Sequence, residues 1–323
     1  MMHRCKLIFR SFIPVMLILS LMFAGCASAL EKMPDPIETV PYDEITPTIN
    51  GQHHYLLLCQ DTWAEHMKLG NTDGIVIVTL DTVAHRVMLT SIIRDALVER
   101  PDGVIGRINY IAKNYSPEDL CRVISQHLDI KIEKYILFNF SHIQEIIDLL
   151  GGVDIYIKPS ESTYLTRYAI PTNSTTPRMY AGDSGMFHFR GHSAVIYMRI
   201  RKAGGGGDFM RTQRVRTVLS TLADSCRNIT YEEATALVNS IMEKNSRTNM
   251  NIEEMMQAMD QAFQLRDCTI EELRIPIDGA TTSIKYAGMA VQEINWNACR
   301  DAMSDYLQHS FLVIDTEDDD DEF

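Results

Sequence analysis

The sequence contains no Gly-Lys-Ser/Thr phosphate loop, no Gly-x-Gly-x-x-Gly dinucleotide fingerprint and no Gly-x-Ser-x-Gly elbow. Nucleotide binding and serine hydrolysis therefore lose their usual motifs. Its seven cysteines, at 5, 26, 59, 121, 226, 268 and 299, never fall at Cys-x-x-Cys spacing, which excludes the common zinc and thioredoxin-like patterns. Removal of a leader after Ala29 would leave five, an odd number. Buried free thiols are expected, with Cys226 to Cys268 the one bridge worth considering. Positive charge is also scarce, with 30 Lys and Arg against 43 Asp and Glu. A protein that reads nucleic acid through a broad basic face is thereby disfavoured. No internal repeat and no second composition regime divide the chain, so a single domain of about 260 residues is expected.

What is present is ordinary globular material, 46% hydrophobic and 23% charged. The net charge of −13 is unevenly placed. Seven acids lie between Asp315 and Phe323, and three bases with no acid lie in the first thirty residues, which leaves −9 for residues 31–314. Arg4, Lys6 and Arg10 precede an apolar run from Phe12 to Ala24. This is the charge and hydropathy pattern of an export signal. Cleavage after Ala29, lipidation of Cys26 and retention as an anchor all fit the pattern. Each places the body outside the cytoplasm, because the basic end stays inside. The reading divides the chain into a signal or anchor over 1–30, a proline-containing linker over 31–51, a globular domain over 52–311 and an acidic tail over 312–323.

Within the domain, Tyr55–Cys59, Ile75–Leu80 and Arg86–Ile93 read as strands. The five residues between the second and third are too few for a crossover, so these two pair antiparallel. Ser116-Pro117-Glu118-Asp119 opens a helix to Leu128, and a strand is expected near Tyr135–Phe140. Ser141 is expected to cap a helix ended by Gly151-Gly152, followed by a strand over Val153–Ile157. Lys158–Phe187 reads as irregular. Helices follow over Gly191–Ile200, Phe209–Arg227, Tyr231–Lys244 and Ile252–Leu265, then a strand near Glu272–Pro276 and a last helix over Asn295–Leu307. Alternation of strand and helix gives an α/β class with a mixed sheet. Met250, Met255, Met256 and Met259 read as helix core. His188 and His192, four apart, have no third ligand nearby and make a poor metal pair.

If the first three strands run up, down and up, Asp61, Asp73 and Arg94-Asp95 meet at one sheet edge. Two carboxylates beside an arginine suit a hard divalent cation completed by phosphate oxygens and water. Turn acids with a surface arginine are the alternative for the same residues. A second cluster runs Tyr197-Met198-Arg199-Ile200-Arg201, four glycines, then Asp208-Phe209-Met210-Arg211-Thr212-Gln213-Arg214. Arg211 and Arg214, three apart, are expected on one helix face, with Val215, Val218, Leu219 and Leu222 entering the core. Arginines near a helix N-terminus oppose the dipole, and an anionic phosphate would offset them; a solvated basic face is the alternative.

These residues resemble the LytR-CpsA-Psr glycopolymer transferases of bacterial cell envelopes. The pattern runs through Leu57-Leu58-Cys59-Gln60-Asp61, Asp73, Ser91-Ile92-Ile93-Arg94-Asp95, Gly106-Arg107-Ile108-Asn109 and Leu149-Leu150-Gly151-Gly152-Val153-Asp154, then both arginine segments, over about residues 54–310. The resemblance implies an α/β/α sandwich with a central mixed sheet enclosing an apolar cleft for a polyprenyl tail. It implies transfer of a phosphoglycosyl polymer from an undecaprenyl pyrophosphate carrier to peptidoglycan at the outer membrane face, dependent on Mg²⁺ or Mn²⁺. Asp61 and Asp73 would bind the metal. Arg94, Arg107, Arg199, Arg201, Arg211 and Arg214 would hold the pyrophosphate, and Arg94, Asp95, Asp208 and Arg211 would make up the catalytic set. Three positions depart from the pattern: Asn71 replaces an arginine, Val215 a glutamine and Cys59 a glycine. A catalytically weak lipid-pyrophosphate binder or regulatory protein on the same scaffold is the alternative.

Overall fold

The structure is a computed structural model that describes residues 34–63, 69–167, 175–204, 207–243 and 247–308. The export signal and the acidic tail lie outside them. A six-stranded mixed sheet is ordered β10-β6-β1-β2-β3-β11. Its strands are β1 (Gln52–Gln60), β2 (Thr72–Asp81), β3 (Arg86–Ile92), β6 (Lys134–Phe138), β10 (Arg247–Thr248) and β11 (Thr269–Ile275). The expected meander is present, since β2 pairs antiparallel with both β1 and β3. β6 joins β1, and β11 joins β3, in parallel.

Alternation along β1 decides the two layers. Leu56 and Leu58 are buried on one face, against α2 (Pro117–Leu128) and α9 (Trp296–Gln308). Tyr55 and Leu57 turn to the other face, toward α7 (Tyr231–Glu243) and α8 (Ile252–Gln264), where Met250, Met255 and Met259 complete the packing. The helix–sheet–helix architecture is thus the one expected. Ser116 caps α2 by accepting from the Asp119 N–H at 3.0 Å. The short α1 (Ile111–Asn114) precedes it, after a hairpin of β4 (Leu97–Glu99) and β5 (Ile105–Arg107).

Several local expectations are corrected. Asn139, not Ser141, caps α3 (Phe140–Leu149), in a reciprocal box with His142. Lys158–Phe187 is partly regular: α4 (Pro159–Arg167), β8 (Thr175–Thr176) and the start of β9 (Gly185–Phe189) lie in it. With β7 (Val153–Ile157) the last two form a second sheet, ordered β7-β9-β8. That sheet packs its inner side on α5 (Gly191–Met198) and α6 (Gly207–Ser225) around Phe189, Val195 and Val218. A hairpin of β12 (Thr281–Tyr286) and β13 (Met289–Ile294) was not expected. Residues 34–51 are irregular but fastened to the body, through Val40 N–H to Gln126 O at 2.9 Å and Asn297 to Glu38 at 3.0 Å. Cys59, Cys121, Cys226, Cys268 and Cys299 are all free thiols, so the Cys226 to Cys268 bridge is not formed.

Candidate functional site

The meander brings Asp61, just past β1, and Asp73, at the start of β2, to the sheet edge where β3 ends in Arg94-Asp95. The second arginine segment reaches the same edge: α5 ends at Arg199 and Arg201, and α6 begins beside them. Asp73 Oδ2 accepts from Arg201 at 3.1 Å, from Arg211 at 3.0 Å and from Arg94. Arg211 also donates to the Asp73 backbone carbonyl at 2.8 Å. Asp208 stands in the first turn of α6, where the dipole favours an acid, and pairs with Arg211 at 2.9 Å and Arg94 at 3.3 Å. Asp95 lies 3.7 Å from Arg94 and 3.4 Å from Arg107, which also donates to Ala290 O at 2.6 Å. Farther out, Arg199 pairs with Asp61 at 3.1 Å and lies 4.5 Å over the Phe140 ring.

A cleft of about 440 Å³ opens at this edge. Asp61, Asp73, Arg199, Arg201 and Arg211 line its polar mouth, and Phe140, Ile143, Ile196, Met198 and Val215 its apolar interior. Arg94, Asp95, Asp208 and Arg107 are not among the lining residues and form the layer behind Asp73. Burial raises the Asp208 carboxyl above the ordinary carboxylate range and lowers the Arg211 guanidinium, while their mutual attraction opposes both shifts. Burial likewise pushes the Cys59 thiol up to about 12, so it is an inert wall. Gly74, directly across β1–β2, makes room for it, since a Cβ there would sit 2.9 Å from that of Cys59.

Arg214 corrects the expectation. Its side chain is buried away from the cleft, donating to Glu161 at 2.7 Å, Ile200 O at 2.8 Å and Ala203 O at 3.1 Å. All three donor nitrogens are committed to structure, so Arg214 fixes the loop before α6. Spacing of three puts two side chains within about one-sixth of a helical turn. That is too coarse to tell two faces apart. Glu161, which compensates Arg214, and Phe140, which supports Arg199, were missed because each is joined to its arginine only by the tertiary fold.

Asp61 and Asp73 both line the cleft, and their carboxylates are of the hard-oxygen type that could hold Mg²⁺ or Mn²⁺ together with phosphate and water. No cluster of three or more His, Cys, Asp or Glu able to hold a metal occurs among the described residues. His188 instead sits between Asp154 and Gly151 O, each at 2.9 Å, and His192 stacks on Trp63. Asn71 places its side-chain oxygen in a buried position with no hydrogen-bond partner, and Val215 lines the cleft wall.

A second cavity, about 340 Å³ and almost wholly apolar, lies on the same sheet face between β2, β3, α6, α7 and α8. Leu219 and Ala223 line it. Arg211, Val215, Leu219 and Ala223 recur every four residues, so one stripe of α6 runs from the charged mouth past the cleft wall to this cavity. At 1.5 Å per residue the stripe is about 18 Å long.

The family model of the LytR_cpsA_psr family matches residues 23–302. The polyisoprenyl-teichoic acid–peptidoglycan teichoic acid transferase TagV of Bacillus subtilis (strain 168) is 28% identical over 212 residues, 63% of this chain and 51% of that protein. Biofilm regulatory protein A of Streptococcus mutans is 25% identical over 191 residues, 57% of this chain and 45% of that protein. The matched region thus spans about half the length of these two relatives. Among solved structures, that of TagT bound to LI-WTA superposes with a TM-score of 0.64 at 19% identity, covering 84% of this chain and 95% of that one. This last likeness bears on the fold alone.

Proposed function

The chain belongs to the LytR-CpsA-Psr family, and on that premise we propose that it is an extracytoplasmic phosphotransferase. It moves a glycopolymer from a polyprenyl pyrophosphate carrier to peptidoglycan or another cell-wall acceptor. The observation that carries this reading is one cleft whose mouth gathers arginines and carboxylates and whose wall continues as an apolar stripe. A pyrophosphate with a long hydrocarbon tail has the same division of character. TagV, by its name, acts on a polyisoprenyl-linked teichoic acid, in keeping with this carrier.

The chemistry follows from the charges. An acceptor hydroxyl attacks the phosphorus that bears the sugar and forms a new O–P bond, the bridging P–O bond breaks with its electron pair going to the departing polyprenyl phosphate, and the hydroxyl proton passes to water. Negative charge grows on bridging and terminal oxygens, and Arg199, Arg201 and Arg211 are placed to neutralise it, preorganised by their carboxylate partners. Arg94, Asp208, Asp95 and Arg107 are positioning residues that hold this set. Three of the guanidiniums rest on Asp73. An entering pyrophosphate competes for them and frees the Asp73 oxygens. Asp61 and Asp73 would hold a divalent cation, which supplies Lewis-acid neutralisation of the same oxygens when bound. No helix among the described residues is long and apolar enough to cross a membrane.

The test is the purified protein mixed with a polyprenyl pyrophosphate glycolipid and Mg²⁺, following phosphoryl cleavage beside chelated and Arg94→Ala controls. Cleavage that needs both is expected, and cleavage indifferent to both overturns the assignment. Asn71 and Val215 favour a second reading, a binder with little turnover, because one leaves a buried oxygen unpaired and the other offers no polar contact. Tight binding without cleavage, with turnover gained by Asn71→Arg plus Val215→Gln, marks that reading.

A further inference from the structure

Trp63 lies two residues beyond Asp61 and, although it is a large apolar side chain, is 37% exposed. Its position is nonetheless fixed. The indole packs between Phe140 and His192, with ring centroids 5.3 Å away in each case. The backbone on both sides is pinned, with Phe140 N–H donating to Thr62 O at 3.0 Å and Ser141 Oγ to Trp63 O at 2.9 Å. Phe140 carries the Arg199 guanidinium, which in turn pairs with Asp61. Exposed aromatic, inner aromatic, arginine and acid thus form one chain of contacts that ends at the cleft mouth. Phe140, Arg199 and Asp61 line the cleft itself, and Trp63 stands one ring outside it.

A half-exposed indole held by two ring contacts beside the cleft presents a flat apolar face and has less conformational entropy to lose on binding than a free side chain. A pyranose ring offers the matching surface, a face of C–H bonds surrounded by hydroxyls that stay in water. We propose that Trp63, supported by His192 and Phe140, is the stacking surface for a pyranose ring, namely the first sugar attached to the pyrophosphate of the donor. The adjacency to Arg199 and Asp61 selects the donor over the acceptor, because a ring seated on Trp63 brings its anomeric phosphate toward those two groups. This inference rests on the donor proposed above and adds a residue that recognises its sugar.

The experiment titrates two probes, farnesyl pyrophosphate and farnesyl pyrophosphoryl-N-acetylglucosamine, into the intact protein and its Trp63→Ala and Trp63→Phe variants. The unaltered protein is expected to bind the sugar-bearing probe about three- to tenfold more tightly than the sugar-free one. In Trp63→Ala the two affinities converge to within about twofold while the sugar-free value is unchanged, and Trp63→Phe keeps most of the gap. Fluorescence gives an independent reading. The chain has two tryptophans, and Trp296 is buried with its Nε1–H donating to Leu97 O at 3.0 Å. Quenching by the sugar-bearing probe therefore belongs to Trp63 and disappears in both variants. A gap that survives Trp63→Ala, or equal weakening of both probes, overturns the inference and leaves the donor reading intact. Quenching by free chitotriose with no gap between the lipid probes assigns the ledge to the acceptor and overturns the donor-sugar role. If neither probe binds the unaltered protein, the donor reading itself fails.

Discussion

Arg211 grips Asp73 twice, with Nη1 3.0 Å from the carboxylate and Nη2 2.8 Å from the carbonyl oxygen of the same residue. One guanidinium thereby ties the first turn of α6 to the edge of β2, and it does so in a buried setting. Lysine cannot reproduce that fork. Arg211→Lys is expected to lower turnover on the order of a hundredfold, the usual scale for loss of one preorganised contact to developing charge. Asp73→Ala removes the carboxylate that Arg94, Arg201 and Arg211 share while Asp208 still pairs with Arg94 and Arg211, and should cost about 1–3 kcal/mol of stability, with the double Asp73→Ala, Arg211→Ala variant costing less than the sum of the two single changes. Denaturant titration of Asp73→Ala, Arg211→Ala and the double variant checks this, and simple additivity would refute the coupling.

Arg199 and Arg214 should behave oppositely. Arg214 is buried on Glu161 and two carbonyls, so Arg214→Met strands a buried carboxylate and is expected to cost about 3–5 kcal/mol. A paired Glu161→Leu should recover much of the loss. Arg199 and its partner Asp61 are 45% and 41% exposed in their side chains. Arg199→Ala is therefore expected to change stability by less than about 1 kcal/mol while reducing cleavage strongly. A large stability loss in Arg199→Ala would contradict its place at the cleft mouth.

The contrast between these arginines marks how far the sequence could be read. The β2–β3 pairing was legible because a short turn forces antiparallel neighbours; with β1 supposed beside β2, that meander carried Asp61, Asp73 and Arg94 to one edge. α2 was legible through its Ser116 cap and Pro117. Arg214 was not, because its partner Glu161 is 53 residues away on a helix inside a stretch with little apolar periodicity. The β12–β13 hairpin escaped for a related reason. Thr281–Tyr286 is largely polar and half-exposed, so it lacks the apolar alternation that betrays a buried strand. Trp63, Phe140 and His192 come from three separate segments and meet only in the fold.

The α6 stripe predicts a dependence on tail length. Val215 lines the cleft and Leu219 the apolar cavity beyond it. Each isoprene unit drawn along that stripe removes apolar surface from water at about 25 cal/mol per Å². Affinity is expected to rise with carrier length and then level off. Leu219→Trp fills part of that cavity and should flatten the rise, weakening long carriers at least about tenfold while leaving a short one nearly unchanged. Calorimetric titration with a series of polyprenyl phosphates measures it. Equal loss at every length would place the tail elsewhere.

Two buried histidines are expected to make the fold lose stability in acid. Burial pushes both His54 and His127 down to about 4 from an ordinary value of 6.5. His127 shows why: Nδ1 lies 2.7 Å from Val123 O and must donate, while Nε2 lies 3.4 Å from the Glu99 N–H and must accept. A second proton would break the Glu99 contact in a site pressed edge-on against Trp296 at 4.7 Å. Between about pH 6.5 and 4 the unfolded chain therefore binds more protons than the folded one, so stability is fully present above 6.5 and falls as the pH drops through this window. The shift is worth about 3 kcal/mol per histidine over the whole range. Urea titrations at intervals from pH 7 to 5, above the range where carboxylates dominate, should show this slope. His127→Gln, which stays neutral, should reduce it by about half. A flat profile, or a slope indifferent to that substitution, would show that these histidines do not govern acid unfolding.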